Sequence, residues 1–416
     1  MKQSHLFTKT RKHAPSDEVS KNAQLLIRAG FIHKEMAGVY AFLPLGLRVI
    51  EKIKSIVREE MNAIGGQEIE MTVLQDSGLW EKTDRWSDKK VDNWFKTKLS
   101  SGAELGLGFT HEEPVTNMLL DIISSYRDLP LFVYQFQSKF RNELRAKSGL
   151  MRGREFLMKD MYSFSRTEEE FELFYEKCAD AYVKVFEKVG LGDITFRTKA
   201  DGGSFTKKFT DEFQTLSEAG EDTIYLDRTK KLAINKEVFS EEAVISEGLN
   251  PDTIEEVKAI EVGNIFPLET KFSEGLNLKF TDENGESRFP IMGSYGIGIS
   301  RLMAVVAEIM SDEAGLVWPE SIAPFKVHLI QVGDDEVVKA EAEKIYSSLL
   351  KSKVEVLFDD RDISPGQKFG DSDLIGIPNR AVVSTRSLEA GGVEVKGRTS
   401  DKSVIISVEE FINTYA

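Results

Sequence analysis

The chain has 416 residues, 41% of them hydrophobic and 30% charged, and carries a formal net charge of -15. That length allows two or three domains with separate cores, and that charge excludes a protein that coats nucleic acid by general basicity, though not one that grips RNA on a local patch. The single cysteine, Cys178, excludes an internal disulfide and a multi-cysteine zinc site, and the five scattered histidines argue against a histidine metal cluster.

At the start of the chain, Lys9, Arg11 and Lys12 lead into no apolar core, so no secretory signal is expected. No apolar run reaches the ~20 residues of a membrane span. A cytoplasmic location with no membrane partner is therefore expected. Residues 20–29 read as a short helix closed by Gly30. Residues 45–64 read as a longer one, because Ile50, Ile53, Val57, Met61 and Ile64 recur at steps of three and four and mark one buried face. Gly65 and Gly66 end it. Residues 68–74 then alternate as a strand. Residues 131–140 alternate again, a turn falls at Ser148-Gly149, and a return strand through Phe156 to Phe164 makes an antiparallel pair. Thr167 and Glu170 have capping-box spacing. The helix after them buries Phe171, Phe174, Cys178, Tyr182, Val185 and Val189 and stops at Gly190. Residues 297–310 are apolar on nearly every face and read as a buried helix with a glycine-rich entry.

Residues 318–324 read as a linker, after which the pattern changes. Strands are expected at 326–332, 354–358, 380–384 and 393–396. Helices are expected at 335–350, near 368–374, and from Ser407, which has capping-box spacing to Glu410. Strands alternating with helices imply a mostly parallel sheet in a small α/β domain. There is no internal repeat and no low-complexity tract.

The densest chemistry lies in Phe140-Arg141-Asn142-Glu143 and the run from Gly149 to Asp160, which holds Arg152, Arg154 and Phe156. Arginine presents a rigid fork of donors suited to phosphate oxygens. Phe156 offers a flat face for a purine. Taken alone, the segment reads equally well as a solvated charged hairpin. Two further segments weigh against that: residues 38–46, from Gly38 through Pro44 to Gly46, and residues 289–302, from Phe289 through Ser294, Gly296 and Gly298 to Arg301.

In order and spacing these three segments resemble motifs 1, 2 and 3 of the class II aminoacyl-tRNA synthetases. Thr110-His111-Glu112-Glu113-Pro114, Asp359-Asp360-Arg361-Asp362, Pro365-Gly366 and the run from Leu374 to Pro378 narrow the likeness to the bacterial-type prolyl-tRNA synthetases without their large insertion. The resemblance covers nearly the whole chain. It implies an α+β catalytic domain over residues 1–320, an antiparallel sheet flanked by helices. A short segment, about 223–259, would stand in place of an editing insertion, and a smaller α/β anticodon-binding domain would follow over 325–416.

The implied activity is ligation of L-proline to tRNA(Pro) through a prolyl-adenylate, with ATP as substrate and Mg2+ beside its phosphates. By resemblance Arg141 contacts the α-phosphate, Arg301 the γ-phosphate and Arg152 the same end of the triphosphate. Phe156 stacks on adenine, Glu143 accepts from its amino group, and Gly298 lets backbone come close. Thr110, Glu112 and Ser294 form the proline pocket, with Ser294 where many relatives carry cysteine; His111 receives no role. Glu261 is a candidate magnesium ligand. The helix and strand after Pro44 imply a homodimer. Candidate tRNA patches are Arg141, Arg145, Lys147, Arg152 and Arg154, then Lys207 and Lys208, then Lys396 and Arg398. The chain departs from the family at Asn142, at residues 146–148, at Thr210-Asp211, where Asp211 receives no function, and at Ser364. Without an editing domain, misactivated alanine would be left to a separate deacylase.

Overall fold

The computed structural model describes residues 1–144, 148–203 and 205–415. Its residues fall into two compact units, one of Ala37–Val39 and Lys54–Leu302, the other of Met1–Met36, Tyr40–Ile53 and Met303–Ala416.

The first unit is built on a nine-stranded sheet. Its strands are β1 (Gln67–Glu68), β2 (Leu131–Phe140), β3 (Glu155–Ser165), β4 (Thr195–Ala200), β5 (Thr210–Leu216), β6 (Asp222–Asp227), β7 (Leu232–Asn235), β8 (Glu255–Glu269) and β9 (Ile291–Gly298). The spatial order is β5-β4-β7-β6-β8-β9-β3-β2-β1. Pairing is antiparallel except for β7 with β4 and β1 with β2. β5 also pairs with β8, so β4 to β8 close into a five-membered ring. The expected short segment at 223–259 is the wall of that ring: it supplies most of β6, all of β7 and the start of β8. Phe196, Ile224, Leu226, Ala233 and Ala259 fill the interior.

Helix Glu168–Lys188 lies where its aromatic stripe predicts. Phe174 stacks on Phe132 at 3.6 Å between ring centroids and meets Tyr295 edge-on, while Tyr182 packs on Phe213. Each such burial removes ~150–250 Å² from water, which ties the helix to β2, β9 and β5 together. The capping box at its start is only half formed. Thr167 accepts from the Glu170 amide, but the Glu170 carboxylate accepts from the Arg166 amide and guanidinium instead.

Two other expectations are corrected here. The strand over 68–74 breaks after Glu68, because the Met71 amide donates to the Gln135 side chain rather than to a backbone neighbour. The helix expected from residue 297 begins at Ile299, since Ile297 and Gly298 still pair with Lys159 and Met158 in the sheet.

In the second unit the sheet order is β11 (Val356–Asp359), β10 (Val327–Val332), β12 (Asn379–Ser384), β13 (Val393–Gly397), β14 (Val404–Ile406). β10 pairs in parallel with both neighbours, but β12-β13 and β13-β14 are antiparallel, so the sheet is mixed rather than mostly parallel. Helix Glu336–Lys351 buries Val338, Ala342, Ile345 and Leu349 against it and is capped by Asp335, which accepts from the Val337 and Val338 amides. The stretch expected to be a linker is packed instead. Trp318, Ile322 and Ala323 are buried, and the Trp318 indole donates to the Ile375 carbonyl at 3.0 Å.

Candidate active site

The β2-β3 hairpin carries the first half of the site. Its ladder runs to Phe140 opposite Glu155, and the Arg141 amide extends it by donating to the Arg154 carbonyl. β9 pairs with the other edge of β3, and β8 with β9. This order brings Phe156 on β3, Glu261 on β8 and Arg301, one turn into helix Ile299–Ile309, to the same cleft as Arg141. The cleft is a cavity of about 230 Å³ lined by Arg141, Glu143, Arg152, Phe156, Glu261 and Arg301 among others.

The Arg141 guanidinium lies 5.0 Å from the ring centre of Phe109 and 5.3 Å from that of Phe156. Its Nε finds no partner among the described residues. Burial lowers its pKa from the ordinary arginine range; the Glu261 carboxylate opposes that shift and the Arg301 cation reinforces it. Two guanidiniums distant in sequence thus share one electrostatic site. Arg301 donates from Nη1 to the Glu261 carbonyl at 2.5 Å and to its carboxylate at 3.2 Å. Asn264 donates to the other Glu261 oxygen at 2.6 Å. Arg152 donates to Glu143 at 2.8 and 3.1 Å and is paired with Glu221.

Gly298 is not on the cavity wall. It stands at the end of β9, where a Cβ would come within 3.0 Å of the Arg301 Cβ, so its small size serves the placement of that arginine. Arg154 is held by the carbonyls of Glu143 and Ala37. Lys208 pairs with Glu269, and Arg398 pairs with Asp312 with its side chain 8% exposed. Arg398 is therefore a buried structural cation, not part of an open basic patch. Arg145 and Lys147 lie outside the described residues.

The second half of the site centres on Glu112, the first residue of helix Glu112–Met118 and 1% exposed. Thr110 Oγ1 donates to its two oxygens at 2.9 and 2.7 Å, and Ser294 Oγ donates to one at 3.0 Å. Thr110, Glu112 and Ser294, 184 positions apart at the extremes of their numbering, therefore meet in one hydrogen-bonded cluster. The Glu112 charge, with those of Glu261 and Glu143, opposes the lowering of the Arg141 pKa, which places both halves in one field.

Several residues that sequence reasoning passed over hold this arrangement. His111 lies on no strand: it is the residue before the helix, fully buried, with Nε2 on the Thr72 carbonyl at 3.0 Å and Nδ1 accepting from Lys139 Nζ at 2.6 Å. Burial, with the Lys139 charge, pushes its pKa down to about 4, so the ring is neutral. Lys139 is paired with Asp160 at 2.9 Å, and Asp160 also accepts from Gln135 and Tyr162. Asp211 accepts from Tyr175 and pairs with Arg197 and Lys199, a structural role. Arg85 joins Glu112 to Glu113. One sequence signal was available: Gln135, Gln137 and Lys139 alternate along β2, and it is this polar face that is buried.

Residues 95–310 match the tRNA synthetase class II core domain (G, H, P, S and T), and residues 326–415 match an anticodon binding domain. The chain is 38% identical over 428 residues to the proline-tRNA ligase of Anaplasma phagocytophilum (strain HZ), covering 99% of both proteins. The chain belongs to the proline-tRNA ligase family. The family includes longer members: the Bacillus cytotoxicus protein is 34% identical over 566 aligned residues that take in 100% of this chain and 99% of that one. Such an alignment exceeds 416 residues by far, so that member carries segments this chain lacks. Among solved structures, the Giardia lamblia prolyl-tRNA synthetase in complex with prolyl-adenylate shares the fold, with a TM-score of 0.77 at 20% identity over 93% of this chain and 74% of that one.

Proposed function

We propose that the cleft activates L-proline with ATP and then transfers it to tRNA(Pro). The observation that carries this is the convergence of Arg141, Arg301 and Phe156 on one cavity beside the Glu112 pocket. In the first step the proline carboxylate oxygen attacks the α-phosphorus and pyrophosphate leaves. In the second, a terminal ribose hydroxyl of the tRNA attacks the prolyl carbonyl and AMP leaves. The first step gathers negative charge on the phosphoryl oxygens, so it needs fixed cations more than an acid or base. Arg141 holds the α-phosphate. Arg301 and Arg152 hold the far end of the triphosphate, each leaving a carboxylate partner, Glu261 and Glu143 or Glu221, to do so. Phe156 stacks on adenine, and Glu143, once freed, accepts from its amino group.

Glu112 receives the secondary ammonium of proline. Thr110 Oγ1 spends its proton on Glu112 and keeps a lone pair for the second N–H. Ser294 fixes the carboxylate from the other side. Magnesium fits the donor set: Glu221, Asp222 and Glu261 line the cavity, and burial together with the Glu261 charge raises the Asp222 pKa, while Glu221 and Glu261 are paired with Arg152 and Arg301. Among the described residues no three acidic, histidine or cysteine side chains form a cage of their own, which suits an ion that takes further ligands from phosphate and water. Bound there, it neutralises phosphate charge.

The division into a catalytic domain over 1–320, a short segment at about 223–259 in place of an editing insertion, and an anticodon-binding domain over 325–416 is supported by the matches at 95–310 and 326–415. In this reading the chain works as a cytoplasmic homodimer, and a separate deacylase clears mischarged tRNA. No helix among the described residues is long and apolar enough to cross a membrane. An amino-acid screen of ATP–pyrophosphate exchange tests the proposal: exchange should depend on proline, and exchange driven by threonine or serine instead would overturn it.

A further inference from the structure

Behind the Glu112 pocket, one guanidinium nitrogen serves two buried carboxylates. Arg85, 3% exposed, contacts Glu113 through Nη1 at 3.1 and 3.2 Å and Glu112 through the same nitrogen at 3.4 Å. Thr83 adds a hydrogen bond to Glu113 at 2.7 Å. Nε and Nη2 of Arg85 find no partner among the described residues. Instead the guanidinium lies within 4.8, 4.9 and 5.2 Å of the ring centres of Trp80, Phe205 and Phe272. Three aromatic rings flank it, and it gives a single nitrogen rather than a full fork to the two acids.

The cations are not shared equally. Arg85 touches both carboxylates, while Arg141 acts on Glu112 and Lys271 on both acids from further off. Lys139, the nearest buried lysine, is matched by Asp160. Lys271 has its Nζ on the Phe205 carbonyl; burial and the Arg85 charge lower its pKa, and the Glu113 and Glu112 charges oppose that shift. Burial raises the Glu113 pKa, the Arg85 cation opposes that shift, and the Glu112 charge adds to it. The shorter contacts go to Glu113, which draws Arg85 away from Glu112.

We propose that Arg85 and Glu113 are a positioning pair: Glu113 detains the Arg85 cation so that Glu112 presents nearly a full negative charge to the amine of the bound amino acid. This rests on the reading of Glu112 as the amine acceptor. The pair does not touch the substrate; it sets amine affinity through Glu112, and leaves discrimination between side chains to the rest of the pocket. A buried pair broken on one side leaves an uncompensated charge, whereas removing both members is far milder.

The experiment is ATP–pyrophosphate exchange with the full chain, reading KM for proline, alanine and ATP in Glu113→Gln, Arg85→Gln/Glu113→Gln, Arg85→Lys, Arg85→Met and Glu112→Gln. In Glu113→Gln the guanidinium closes on Glu112, and KM should rise about ten-fold for proline and alanine alike while KM for ATP stays within about two-fold. In the double variant KM for proline should return to within about three-fold of the starting enzyme. Arg85→Lys should lie closer to the starting enzyme than Arg85→Met. An unchanged proline KM in Glu113→Gln, a double variant no better than that single one, or a lysine no better than methionine would overturn the proposal. An unchanged proline KM in Glu112→Gln would instead overturn the reading of Glu112, so the two failures are told apart.

Discussion

Arg301 Nη1 reaches both the carbonyl and the carboxylate of Glu261, at 2.5 and 3.2 Å. A cation held by its own protein is aimed before the ligand arrives and need only exchange one anionic partner for another. Replacing it removes a preformed donor, not a flexible surface charge. Arg301→Ala should therefore raise KM for ATP and lower kcat/KM by about 10²–10³-fold, near 3–4 kcal/mol, as measured by proline-dependent pyrophosphate exchange. Thermal unfolding should change little, since the side chain is a quarter exposed.

Arg141 differs in standing half-buried beside Phe109 and Phe156, with an Nε that finds no partner among the described residues. Its worth should appear mostly in kcat. Arg141→Ala should lower kcat by at least about 10²-fold with a smaller change in KM for proline. Steady-state exchange at several ATP concentrations checks this, and a pure KM effect would contradict an α-phosphate contact.

Glu212 gives a pH prediction. Burial, then the nearby Glu261 charge, pushes its pKa up to about 8, against the donation of Gln214 and Asn235. The folded state therefore keeps a proton that the unfolded state has lost between about pH 4.5 and 8. Stability should fall as pH rises through that window, by at most about 1.4 kcal/mol per unit, and level off above it. Urea midpoints at pH 6 and 8.5 should differ in the starting enzyme and converge in Glu212→Gln.

Alanine is smaller than proline, and a pocket that accepts the larger ring cannot strongly exclude the smaller side chain: each missing methylene is worth about 1–3 kcal/mol. The purified chain should support alanine-dependent pyrophosphate exchange and should not hydrolyse alanyl-tRNA. Robust deacylation by this chain alone would contradict the absence of an editing domain.

Ser364 is one of the positions where the sequence departs from the pattern it resembles. Here it caps helix Pro365–Ile375 in a reciprocal capping box with Gln367. Ser364→Ala should cost about 1 kcal/mol of stability by chemical denaturation, and KM for tRNA should stay within about two-fold.

Where the chain's own periodicity decided the structure, the sequence was readable. β2 falls on Leu131–Phe140, and helix Glu168–Lys188 buries the aromatic stripe that marked it. The motif residues Arg141, Phe156 and Arg301 were found by likeness, and their meeting in one cavity follows from strand order that no local pattern encodes. What stayed hidden was non-local. Arg85 and Glu113 are 28 residues apart, and Lys139 and Asp160 lie on adjacent strands. Alternation along β2 announced a strand but not which face turns inward, and the polar face is tolerated inside because Gln135 and Lys139 meet Asp160 and Gln137 meets the Met71 carbonyl. Glu170 was diverted from its cap because Arg166 competes for its carboxylate. The ring of β4 to β8 depends on β8 serving β5 on one edge and β6 and β9 along the other, which only a fifteen-residue strand can do.

That shared strand has a consequence for how this family can gain or lose parts. β6 and β7 are two of five staves, and cutting them out would expose the backbone edges of β4 and β8 at once. An insertion at a turn leaves those edges paired, and the bend at residues 228–231, pinned by Asp227 to Thr229 and Lys230, is the turn between those two staves. Lineages of different length can then differ by what hangs from a hinge while the barrel beneath goes on undisturbed.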